Sequence, residues 1–253
     1  MPAISGSNVL VIGGSSGIGA AVAKLVAAEP DVQVSIASSN AARVDEAVGK
    51  IKSAIPSAKV TGYTCNVGGD DAEANLEDLL TKIVTATGRP LDHVVYTAVK
   101  LDFKFLQDVT IYWLRGDAQF LVLVPILIAK LAPRYIKQAY TSSLTFTSGR
   151  IAEKPMKGAA VPAAWGAALF GLVRTLALDL APIRVNLVSP GTTDTEIQGS
   201  EEARRGRMAA AAETALLGKV GTPEEVGEAY LYLMKDSNNT GTCVSTSGGA
   251  LIQ

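Results

Sequence analysis

Apolar and polar positions along this chain alternate between two periods. Short apolar, β-branched runs at 8–13, 32–37, 59–64, 91–97, 140–147, 183–189 and 242–246 read as strands. Few of them carry the polar alternate face of a half-exposed sheet, so they are expected to be covered on both sides. Between them, segments at 17–28, 40–54, 72–87, 110–132, 162–181 and 223–235 carry helical spacing. Strands separated by helices of this length imply right-handed crossovers and a parallel, doubly wound sheet. No repeat, linker or low-complexity tract interrupts the pattern. The expectation is one α/β domain over residues 1–253 with a seven-stranded parallel sheet.

Two helical segments, 118–132 and 158–173, are apolar all round. A helix without a polar face is buried in a core or in a subunit contact, which predicts a homodimer or homotetramer. Residues 194–220 differ, being polar, Ala-rich and charged, and they lead into Thr222-Pro223-Glu224-Glu225, an N-cap followed by Pro in the first turn. Lying beyond the carboxyl end of a strand, this segment is expected to form a lid over a ligand crevice. A net charge of −1 offers no basic field to nucleic acid or anionic lipid. The basic run Arg204-Arg205-Gly206-Arg207 follows Glu201-Glu202 and reads as a solvated helix face. Cys65 and Cys243 sit in separate apolar runs and read as buried thiols, not a disulfide. The apolar stretch 120–129, interrupted by Pro125, falls short of the roughly 20 residues a membrane span needs. With no basic leader at the N-terminus, a cytoplasmic protein without a membrane partner is expected.

The chemistry begins at NVLVIGGSSGIG, residues 8–19. Gly13 permits a tight turn, Gly17 lets backbone approach a pyrophosphate, and Gly19 allows close packing of helix on sheet in a Rossmann-type fold. The helix N-terminus beyond them supplies free N–H groups and a positive dipole end. Ser15, Ser16 and Ile18 complete this candidate cofactor loop. The second strand ends in Ser38-Ser39-Asn40, with Arg43 one turn on, where NAD-preferring sites carry an acid. Hydroxyls, an amide and a guanidinium bind a 2′-phosphate rather than repel it, so NADP(H) is the expected cofactor. Ser39 or Asn40 can equally cap the following helix. Asn66-Val67, closing the third strand, is placed to meet the adenine edge.

Taken together these residues resemble the short-chain dehydrogenase/reductase family, over essentially the whole chain. GGSSGIG is similar to its glycine motif, and LDHVVYTAV to its fourth-strand motif, with Thr97-Ala98-Val99 where that family has Asn-Ala-Gly. IRVNLVSPGTTDTE is similar to the strand and turn that hold the nicotinamide end, through Pro190, Gly191, Thr193 and Thr195. GTPEEV and Ser247-Gly248-Gly249 extend the likeness. The resemblance implies a Ser, Tyr, Lys and Asn as catalytic groups, and here it departs. Ser148 is kept, but Pro162 stands at the Tyr position, Gly166 at the Lys position, and the Asn position falls near Leu121. A missing proton donor removes a factor of roughly 10²–10⁴ from ketone reduction. A narrower resemblance is to a divergent fungal branch that includes reductase/Diels–Alderases of prenylated indole alkaloid biosynthesis. There an Asp takes the Tyr position, with a Trp three residues later and an Arg on the helix corresponding to 110–132. Trp165 matches that Trp, whereas the Asp is Pro162 and the Arg is lost.

The resulting candidates are Ser148, Trp165 and Asp108 as catalytic residues, with Tyr96, Lys100, Phe103, Pro162 and Gly166 forming the substrate pocket. Each has a plainer alternative: Trp165 as a core or interface aromatic, Ser148 as the polar end of a strand, Lys100 and Asp108 as exposed loop charge. Asp102, Asp194 and Glu196 share that ambiguity. His93 is the only histidine, which excludes His-based triads, and no cluster has zinc spacing. The sequence therefore points to an NADP(H)-binding enzyme acting on a bulky, alkaloid-like small molecule by iminium reduction, Diels–Alder-type cyclisation, or both. A cofactor-independent cyclase or isomerase, and a non-catalytic cofactor-binding scaffold, remain open alternatives.

Overall fold

The computed structural model describes residues 4–100 and 102–253. Seven strands, β1 (Asn8–Ile12), β2 (Gln33–Ser38), β3 (Lys59–Thr64), β4 (His93–Tyr96), β5 (Ser143–Thr147), β6 (Arg184–Pro190) and β7 (Cys243–Thr246), form one parallel sheet. Their order is β3-β2-β1-β4-β5-β6-β7, so the winding direction reverses between β1 and β4. The expected single doubly wound Rossmann-type domain is what the chain forms. Helices α1 (Gly17–Ala27), α2 (Ala41–Ala54) and α8 (Pro223–Lys235) pack on one apolar layer, with Val9, Val11, Ile36, Val60 and Tyr230 in its centre. On the other layer, α3 (Ala72–Thr87), α5 (Val124–Tyr135) and α6 (Ala160–Asp179) enclose Leu10, Val94, Leu144, Leu169 and Leu187.

Local chemistry explains where elements begin. Asn40 caps α2 by accepting from the Arg43 N–H, and Thr222 and Glu225 close a reciprocal capping box on α8. Segment 194–220, expected only as a lid, contains a further helix, α7 (Glu201–Glu213), in which Met208 is the buried side chain. Helix Ile111–Tyr135 and helix α6 are long and apolar enough to cross a bilayer by length and composition. Both nevertheless belong to the globular layer, since Ile128, Leu131, Leu169 and Val173 lie in its core. Cys65 and Cys243 are free thiols, each pushed up to about 11 chiefly by burial. His93 is buried against Ser143, 2.8 Å away, and burial followed by the charge of Arg184 lowers its pKa to about 3. It is a neutral structural group.

The segment expected as one helix over 110–132 is broken in an informative way. α4 (Ile111–Ala118) passes through a π turn at Gln119–Leu123 before α5. In that turn the Val124 N–H reaches back to the Gln119 carbonyl. Continuing the wider register would pair residue 125 with the Phe120 carbonyl, but Pro125 has no N–H to give. The Tyr96 hydroxyl donates to the Phe120 oxygen instead, at 2.9 Å. Tyr96 is only 1 % exposed and meets Phe146 edge-to-face.

Removing that hydroxyl leaves the carbonyl without a protein partner. Tyr96→Phe is expected to lower unfolding free energy by about 1–3 kcal/mol, read as an earlier urea midpoint at unchanged slope.

Candidate active site

A cavity of about 800 Å³ opens at the carboxyl ends of the strands, around the β1/β4 reversal. That is where parallel sheets of this kind accept ligands. Its floor is the turn from β1 into α1. Gly13 has φ +91°, and a Cβ there would lie 2.6 Å from both the Ala98 nitrogen and the Thr97 Oγ1. A Cβ on Gly19 would lie 2.2 Å from the Gly13 carbonyl oxygen. The turn is thus pressed against the end of β4 with no room for one methyl group. Ser16 stands at the N-cap of α1 without using its side chain as a cap. Ser15, Ser16, Gly17 and Ile18 all line the cavity, as do Thr97 and Ala98.

One end is built from the ends of β2 and β3. Ser38, Ser39, Arg43, Asn66 and Val67 line it together. Asn40, expected among them, does not; its side chain is spent on the α2 cap, at 3.0 Å from the Arg43 nitrogen. The Asn66 Oδ1 already accepts from the Gly68 N–H at 2.9 Å. The opposite wall carries Pro190, Gly191, Thr193 and Thr195. Thr193 and Thr195 are buried. The Thr195 Cγ2 lies 3.2 Å from where a Gly17 Cβ would be. Beyond Thr195, Glu196, Ile197, Gln198 and Arg207 of the 194–220 segment also line the cleft. That segment is tied to itself by an Arg204–Asp194 ion pair at 3.0 Å and an Arg207 hydrogen bond to the Gln198 carbonyl at 2.6 Å. The cradle fits a dinucleotide: glycines where no side chain could stand, and a helix N-terminus facing into the cleft.

At the far end Lys100, Phe103, Ser148, Pro162 and Gly166 line the cavity as expected, joined by Phe120, Leu121 and Met156. The Ser148 hydroxyl donates to the Gly166 carbonyl at 2.9 Å. A carbonyl oxygen can only accept, so the serine proton is committed to α6 and only lone pairs remain for a ligand. A Cβ on Gly166 would lie 3.1 Å from Ala152 Cβ and 3.2 Å from Ser148 Oγ. Pro162 and Gly166 share one face of α6 at i, i+4, and neither offers a proton.

Besides Asn40, three expected site residues lie elsewhere. Tyr96 does not line the cavity, because its ring is core and its hydroxyl serves the π turn. Asp108 ends an exposed 3₁₀ turn outside the cavity. Trp165 is also outside it, displaced from the 162/166 face. Its buried indole N–H closes no hydrogen bond of ordinary geometry, yet it helps stabilise the Asp117 anion. The Asp117 pKa is still raised on balance, first by burial and then by Asp102, with Lys100 and Trp165 opposing. Asp102 accepts from the Trp113 indole at 2.8 Å. Sequence reading missed Phe120, Arg150, Ile151, Met156 and Arg207 as cavity residues. Arg150 and Ile151 carried a signal by lying two and three residues after Ser148, and Arg207 by belonging to the 194–220 segment.

The crowding at residue 166 makes a direct test. Pro162→Tyr with Gly166→Lys is expected to leave ketone reduction undetectable. Gly166→Lys alone is expected to cost about 1–3 kcal/mol, read from chemical denaturation, because the wall of Ser148 and Ala152 must give way.

The chain matches the SDR-like Rossmann domain over residues 3–253. It is 47% identical over 254 residues to the short-chain dehydrogenase/reductase ATR9 of Stachybotrys chlorohalonatus, covering 100% of both chains. Among solved structures it resembles the MalC reductase/Diels–Alderase of Malbranchea aurantiaca, with a TM-score of 0.92 and 37% identity over 99% of this chain and 98% of that one. A short-chain dehydrogenase from Burkholderia cenocepacia, solved in complex with NADP, gives a TM-score of 0.85 at 26% identity, with 98% of each chain covered. Glycine cradle, strand order and full-length similarity agree: this chain belongs to the short-chain dehydrogenase/reductase family.

Proposed function

We propose that this protein binds NADP(H) in the glycine-cradled cleft and acts on a bulky, alkaloid-like small molecule by iminium reduction, cyclisation, or both. The observation that carries the reading is the bare wall opposite the cradle. Pro162 and Gly166 hold no proton, and the Ser148 proton is directed at the Gly166 carbonyl. An iminium carbon is already cationic and leaves a neutral amine on gaining hydride, so no acid is required. A pericyclic ring closure needs none either.

The residues divide by task. Ser38, Ser39 and Arg43 would hold a 2′-phosphate, and Ser15, Ser16 and the free N–H groups of α1 the diphosphate. Thr193 and Thr195 would hold the nicotinamide side. When bound, NADPH supplies the hydride. Phe103, Phe120, Leu121 and Met156 exclude water and restrict the poses of an apolar substrate. Holding two reacting ends in contact geometry is worth several kcal/mol without acid or base, up to about 7–11 in the best-oriented cases. Support for cyclisation comes from the MalC protein, described as a reductase/Diels–Alderase. The 194–220 segment would act as the lid, and the protein would work in the cytoplasm.

The α4–α6 side exposes Ile111, Tyr112, Leu123, Ile126 and Leu178, the last at 80 %. We assign this side to self-association as a homodimer or homotetramer. Sedimentation velocity is expected to show a dimer or tetramer at micromolar concentration, and a monomer throughout would overturn the assignment.

Titration of NADPH and NADH into the purified protein, followed by fluorescence, tests the cofactor reading. NADPH is expected to bind more tightly than NADH. Arg43→Ala is expected to weaken NADPH by about tenfold or more while barely moving NADH, the size of a lost charge-assisted hydrogen bond. Binding of neither nucleotide would sink the reductase reading and leave a cofactor-free cyclase or isomerase on the same fold.

A further inference from the structure

The chain as a whole is nearly neutral, with a net charge of −1, yet its cavity is not. Arg43, Lys100, Arg150 and Arg207 line it against a single carboxylate, Glu196. Two of these cations have evident work. Arg43 stands at the β2 end beside Ser38 and Ser39, and Arg207 is hydrogen-bonded within the lid segment. Lys100 and Arg150 do not. They lie at the far end with Ser148, Phe103, Met156 and Pro162, on the segments that follow β4 and β5. Phosphates held at the glycine turn and at Arg43 would leave these two cations unanswered.

Lys100 is exposed and Arg150 half-buried. Among the described residues, neither side chain takes part in an ion pair. Asp117 is near enough to feel the Lys100 charge but forms no ion pair with it. Arg150 opens the 3₁₀ turn Arg150–Ala152. That turn is fastened in place. Glu153 accepts from Ser189 at 2.5 Å and from Ser245 at 3.0 Å, while Lys154 donates to the Ala250 carbonyl at 3.0 Å. The backbone that carries this guanidinium is thus already ordered, and its planar fork matches an anion with two oxygens.

Resting on the reading of this end as the substrate side, we propose that Lys100 and Arg150 form an anion-binding subsite. It recognises an anionic oxygen group, such as a carboxylate or enolate, on an otherwise apolar substrate. Ser148, with lone pairs but no free proton facing the ligand, lies beside them without competing for that group. The apolar body then rests on Phe103, Phe120, Leu121 and Met156, and the anion sets its orientation. This makes Lys100 and Arg150 specificity residues whose partner is the substrate's charge, not the cofactor's.

A matched pair of fluorescent probes tests this on the full-length protein, with and without saturating NADPH. 8-Anilinonaphthalene-1-sulfonate carries an anionic head, and N-phenyl-1-naphthylamine is its neutral counterpart. The sulfonate is expected to bind the NADPH-loaded protein. Lys100→Met with Arg150→Met should weaken it by about tenfold or more. The neutral probe and NADPH itself should be unaffected, which also shows that the variant is folded. Arg150→Lys should recover part of the loss. Equal loss of both probes, or no loss of the sulfonate, would overturn the subsite. Displacement of the sulfonate by NADPH would overturn it too, placing the anion in the phosphate cradle. Failure of NADPH to bind at all strikes the cofactor reading alone, because the probe comparison then stands on the cofactor-free protein.

Discussion

Everything in this molecule is arranged around one close approach. The turn after β1 touches the end of β4 so tightly that a Cβ on Gly13 would sit 2.6 Å from the Ala98 nitrogen, and one on Gly19 2.5 Å from the Thr97 Oγ1. That contact sets the pitch of α1 against the sheet and leaves its N-terminus pointing into an open crevice. The opening exists because β1 and β4 send their following chains in opposite directions. Backbone N–H groups unpaired at a helix start need a partner, and an anion is the natural one. The cofactor half of the site is therefore a consequence of packing as much as of any side chain.

The other half offers no acid–base pair on α6. Where its family places a tyrosine and a lysine on one helix face, this chain has a proline and a glycine. The space has closed behind them. Ala152 and Ser148 stand against Gly166, and the serine has turned its proton toward the helix. The wall is a self-consistent surface, not a site lacking two side chains. Under the proposed reading such a surface would hold and orient a substrate and keep it dry, effects that suit reactions that move no proton.

A similar economy governs the α4–α5 region. Pro125 denies a backbone donor, the helix widens into a π turn, and Tyr96 supplies the missing donor from the sheet. Phe120 and Leu121, which line the cavity, both lie in that π turn. One proline thus links the conformation of the substrate wall to the hydrogen bonding of β4. The Tyr96 hydroxyl is occupied there, outside the substrate pocket in which the residue was expected.

What the sequence determined by itself was the architecture and the set of residues that gather around the glycine turn. Strand and helix periods repeat along the chain, and Gly13, Gly17, Gly19, Ser38, Ser39, Arg43, Pro190, Gly191, Thr193 and Thr195 all meet in one cavity. These residues act through backbone geometry or sit at strand ends, which local pattern locates well. Tertiary structure alone decided the far end of the cavity. Tyr96, Trp165 and Asp108 fell outside it, while Arg150, Met156 and Phe120 came in. Their direction depends on how α4, α6 and the turn after β5 rotate against the sheet, and that rotation is fixed by contacts between residues far apart in sequence. Asn40 shows the limit from the other side: the same amide serves a cap or a ligand, and only the neighbouring Arg43 nitrogen, 3.0 Å away, decided which.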